Sequence, residues 1–205
     1  MIFGLFARRF SDETFALYRS IVAEARHPAF YLAHGVPDTV TARFDMIVLV
    51  LATVLHRLRA EPVAAEPRPK KAPPTPRDLA ADLLDVFFED MDRSLREMGI
   101  GDMGIPKRMK KLANAWNGRF QAYDAAFDEV DAAGLSAAVA RNVLADADRA
   151  HADGLAAWTL ACLAVLAATP VADVLAGRIP WPNPEPFAAA PATAPITPLV
   201  TGSPA

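Results

Sequence analysis

Lys107, Arg108, Lys110 and Lys111 place four cations within five residues, just after an elbow that carries Gly99, Gly101 and Gly104. In the first turns of a helix such side chains face the positive end of the backbone dipole, at a cost of about a few tenths of a kcal/mol each. Two accounts of the cluster stand open. Its side chains neutralise an acidic stripe on the preceding helix, or they form a docking patch for an acidic partner, a phosphate backbone or anionic lipid headgroups. Met91, Met98, Met103 and Met109 flank the same elbow. Flexible thioethers suit surfaces that accept varied apolar partners, although core packing is their commoner use. A basic rim beside adaptable apolar surface is what a binder of unassembled hydrophobic protein requires.

The other chemistries that the residues could suggest fail on context. Gly99, Gly101 and Gly104 spell GxGxxG, with Asp124 twenty residues beyond the last of them. That motif binds dinucleotides where a strand feeds a tight turn into a helix. Here a long helix precedes the turn and Asp124 lies inside another, so the expected role of the glycines is chain reversal through positive backbone angles. Asp78, Asp82, Asp85, Glu89 and Asp92 line one helix face without a histidine at metal-ligand spacing. His27, His34, His56 and His151 are scattered, with neither HxxxH nor HExxH, and no GxSxG elbow is present. Cys162 stands alone in an apolar run, the setting of an inert packed thiol. We expect no enzyme, no cofactor and no metal.

A chain of 205 residues can bury a full core without staples. The net charge of -3 and the pI of about 5.8 speak against a dedicated nucleic-acid binder, and no specific DNA partner is expected. The start, MIFGLFARRF, lacks the long apolar core of a secretory signal, so a cytoplasmic placement is expected, with peripheral contact to the inner membrane. Met46 to Leu55 is too short to cross a bilayer, which needs about 20 residues. Leu155 to Ala172 is uncharged but rich in alanine and broken by Pro170, so it too reads as a core helix.

The hydrophobic period is helical almost everywhere along the chain. The expected fold is all-α, a single domain over residues 1–181 with six to seven helices. The first helix opens at Ser11, with Phe10 placed to staple against Phe15, and stops near Arg26 because His27 precedes Pro28. The second carries Val40, Phe44, Ile47, Val48, Leu51, Leu55 and Leu58 on one face and more apolar residues around the other, the pattern of a buried centre. Residues 61–76 hold six prolines and read as a linker or loop inside the domain. The third helix starts with Thr75, Pro76 and Asp78 as a capping box and buries Leu79, Leu83, Val86, Phe87, Met91, Leu95 and Met98. Gly99 ends it. A fourth runs from Pro106 to about Asp128; others follow over Leu135 to Leu144 and Asp146 to Ala168, with a short turn over Ala172 to Leu175. Residues 182–205, rich in Pro and Ala, form a tail that is expected to be disordered beyond about Phe187.

Two stretches carry a family resemblance: GVPDTVTARFDMIVLVL, Gly35 to Leu51, and DVFFEDMDRSLREMGIGDMGIPKRMKK, Asp85 to Lys111; GRFQAYDAAF, Gly118 to Phe127, adds to them. The chain resembles the ubiquinol-cytochrome c chaperone family, assembly factors for respiratory complex III. It departs at Ala42, where the family pattern has a glycine before the arginine. The resemblance implies a helical, non-catalytic chaperone that binds newly made cytochrome b and promotes its entry into complex III. In mitochondria such proteins work with a small partner subunit beside the ribosomal tunnel exit; the short N-terminus here is similar to the bacterial branch. It points to Arg43, Asp45, Asp92, Arg93, Arg96, Asp102, Lys107, Arg108, Lys110 and Lys111 as partner-binding residues, with Met103 joining them from the elbow. A ribosome- or RNA-associated module using Lys107 to Lys111 is the alternative.

Overall fold

The computed structural model describes residues 10–62, 75–144 and 149–189. They fold into eight α-helices without strands among the described residues: α1 (Asp12–Ala25), α2 (Pro28–Leu32), α3 (Val40–Arg59), α4 (Pro76–Glu97), α5 (Ile105–Asp128), α6 (Ala132–Asn142), α7 (Arg149–Ala168) and α8 (Val171–Leu175). The all-α expectation holds. Most of the expected linker and tail, and the expected start of the Ala-rich helix, lie outside the described residues.

Local chemistry sets the helix ends. The Ser11 hydroxyl accepts from the Thr14 amide, and the rings of Phe10 and Phe15 meet edge-on at 5.9 Å, closing the staple. Thr75 and Asp78 satisfy each other's backbone amides in a complete capping box. Gly99 ends α4 at a φ of +79°, a conformation that other residues adopt only at a cost. The elbow uses this freedom once: Gly104 sits at a φ of -86°, and only Gly99 in it is left-handed. At Gly104 the requirement is space, because an added Cβ would lie 3.1 Å from the Ile100 side chain.

The α3 helix is the hub, with fourteen buried residues and neighbours α1, α4, α5 and α7 on its sides. Burial all round requires an apolar surface all round, which its sequence supplies. Phe87 of α4 joins three elements, with its ring 5.8 Å from Phe44 of α3, 5.6 Å from Trp116 of α5 and 5.1 Å from Phe88. α7 is long and apolar enough to cross a membrane, yet Leu155, Trp158, Cys162 and Leu166 are buried against the core. The Cys162 thiol is pushed well up by burial, as expected of a packed, inert cysteine.

Three expectations change. The short α2, capped by the His27 ring, adds a helix over residues to which the sequence reading assigns none. Val40 and Met98, expected inside, are 65% and 50% exposed. The packed domain also runs past residue 181: the Trp158 indole donates to the Pro182 carbonyl at 3.0 Å, and the His34 Nε2 donates to the Pro184 carbonyl at 2.9 Å. Gly154 permits this strap, since any Cβ there would collide with the Phe187 carbonyl.

Candidate functional site

Val40 and Met98 are exposed because they flank a groove. It has a volume of about 460 Å³ and lies where the first turns of α3 and α5 meet the last turns of α1 and α4. Phe44, Ile47, Leu95 and Leu112 supply its apolar lining, with Met91 and Met98 along the α4 side. Arg26, Arg43 and Arg108 stand among the lining residues, so a largely apolar trough carries three guanidinium groups. A second hollow of about 280 Å³, lined by Tyr31, Leu32 and Asp38, shares Arg26 and Arg43 with the first. Leu32 beside it is 85% exposed.

Arg43 marks the saddle between the hollows. Its Nε donates to the Asp38 carboxylate at 2.6 Å, and its guanidinium lies 5.7 Å from the centre of the Tyr31 ring. The guanidinium also holds the Asp38 carboxyl below the usual carboxylate range. These contacts fix Arg43 across the sequence gap between α2 and α3 while leaving it exposed.

The expected binding residues separate into groups. Arg43 and Arg108 line the groove. Arg96 bridges Asp92 at 2.7 Å and Asp102 at 2.5 Å, bracing the elbow to α4, and Arg93 pairs with Asp90 at 2.6 Å. Asp45 is placed elsewhere: it is 3% exposed and lies 2.9 Å from Arg119 of α5, outside the groove lining. Burial raises its carboxyl to about 6, with Arg119 pulling the other way. It is a core ion pair and offers no surface to a partner.

Lys107, Lys110 and Lys111 stand exposed on the face of α5 opposite Ile105 and Trp116, and Arg108 lies on the flank toward the groove. Among the described residues no ion pair joins any of these four side chains to a carboxylate. Met103 at the elbow tip is 99% exposed.

Arg26, Phe44 and Ile47 were missed as site residues. Phe44 and Ile47 read as core, and Arg26 is a helix cap; only folding brings them to one trough.

The described residues offer one cluster with metal-ligand types, His56, Asp124 and Asp128. Its charges are already met by the protein: His56 Nδ1 lies 3.0 Å from Asp124, and Arg59 reaches Asp124 at 2.6 Å and Asp128 at 3.9 Å. A guanidinium in that place opposes a second cation, and Asp124 is thereby a structural residue.

Comparison with known proteins comes to the same place as the sequence motifs. The family described as Ubiquinol-cytochrome C chaperone matches residues 32–181. The crystal structure of the Cbp3 homolog from Brucella abortus superposes with a TM-score of 0.70 at 40% identity, covering 84% of this chain and 90% of that one. No curated protein matches the chain.

Proposed function

This chain belongs to the ubiquinol-cytochrome C chaperone family, and we propose that it is a non-catalytic assembly factor that holds unassembled cytochrome b until it enters complex III. The groove beside the elbow receives an apolar segment of that client. One observation carries the reading: a trough of about 460 Å³ whose lining is apolar and partly thioether, studded by Arg26, Arg43 and Arg108. A membrane segment outside its membrane presents apolar side chains with polar ends, and such a trough meets both. Met91 and Met98 let one site adapt to different side chains. Binding takes place at the cytoplasmic face, beside the inner membrane where the client must go.

Complementation of a deletion strain tests this. The parent chain should restore complex III, and a Val40→Glu/Met98→Glu chain, folded and present at parental level, should fail while cytochrome b transcript persists. Full restoration by the double variant would remove the groove from the account.

A further inference from the structure

The outer face of α5 has no part in the groove, and it carries a second, independent feature. From Met103 to Tyr123 the chain contains five cations and no Asp or Glu, within a protein whose net charge is -3. Arg119 is taken by Asp45 and Arg108 turns to the groove. That leaves Lys107, Lys110 and Lys111, spaced three and four apart so that they share one exposed face, without carboxylate partners among the described residues. Asp102 is the nearest acid in the chain before them, and Arg96 holds it toward α4 at 2.5 Å. Met103, in the elbow two residues before α5, is 99% exposed.

We infer that the elbow and the first turns of α5 form a docking surface for an anionic lipid bilayer, with Met103 entering the headgroup boundary and the three lysines meeting lipid phosphates. Protein partners bury an apolar anchor in a matching pocket, whereas a fluid interface accepts a protruding side chain without one. The lysine face also lacks what single-stranded RNA needs: Trp116 and Tyr123 are buried, Phe120 packs against the core, and no aromatic ring is offered for stacking. Charge complementarity to anionic headgroups is what remains, and it acts within about a Debye length. This contact does not depend on the groove or its client.

Sedimentation of the full chain with vesicles tests it. The chain should bind phosphatidylcholine mixed with phosphatidylserine, and only weakly phosphatidylcholine alone. Lys107→Gln/Lys110→Gln/Lys111→Gln should weaken binding about 100-fold, from about fivefold per charge. Met103→Trp should show a blue-shifted emission with the anionic vesicles only, a readout separate from affinity. All four positions are exposed, and an unchanged circular dichroism spectrum confirms the fold. Equal binding to neutral vesicles, parental binding by the triple variant, or an unshifted tryptophan would each overturn the inference. So would displacement by inorganic phosphate at matched ionic strength, which means a discrete anion site. Tighter binding to single-stranded RNA that is indifferent to Met103→Ser would overturn it in favour of nucleic acid.

Discussion

Arg119 of α5 lies 2.9 Å from the carboxylate of Asp45 on α3, and its guanidinium also sits 5.9 Å from the centre of the Phe44 ring, which lines the groove on α3. A buried ion pair thus packs against one residue of the groove lining. Breaking one side of such a pair leaves a charge without compensation, which costs about 3–5 kcal/mol. Arg119→Met should therefore destabilise the fold strongly at pH 7 in urea unfolding. The loss should shrink at pH 5, where Asp45, already raised to about 6, takes up a proton.

The same carboxyl sets a sign for the parent. Asp45 binds its proton more tightly folded than unfolded, so its contribution to stability is full below about pH 4 and is lost as pH rises through about 6. Glu24 follows the same rule nearer neutrality, because burial alone raises it to about 7. Glu24→Gln should match the parent at pH 5 and exceed it at pH 8 in thermal unfolding. A variant less stable than the parent at pH 8 would show that the carboxylate has a partner there.

Phe87 and Met98 separate folding from binding on one helix. Phe87→Ala opens a cavity among Phe44, Phe88 and Trp116 and should cost about 3–5 kcal/mol. Met98→Ser, half exposed, should stay within about 0.5 kcal/mol of the parent yet weaken client capture in pulldown of cytochrome b.

The strap after α8 gives another test. Gly154→Ala would press a methyl group against the Phe187 carbonyl, and the strap must lift. The Trp158 indole would lose its bond to Pro182, and its emission should shift to the red. Overpacking of this kind costs about 1–3 kcal/mol.

What the sequence disclosed and what it hid follow from range. Ser11, Thr75 with Asp78, and Gly99 act on amides or angles within a few residues, so type and spacing suffice to place three helix ends. A five-residue helix such as α2 has too few turns for a hydrophobic period. Val40 and Met98 carry apolar side chains at core spacing, and nothing local says that the neighbouring helices diverge there. The partner of Asp45 lies in another helix, so a carboxylate near a family motif looked like a contact residue. Proline-rich composition hid the strap, because its anchors, Trp158 and His34, are far along the chain.

Whether the groove holds the client is decided by photocrosslinking during cytochrome b synthesis in cells, with a photoreactive residue at Met98 in the groove and a control at Val130, exposed just past the far end of α5. A cytochrome b adduct should form from position 98 and none from position 130. Equal adducts from both positions, or none from 98 in a strain that still assembles complex III, would contradict client binding there.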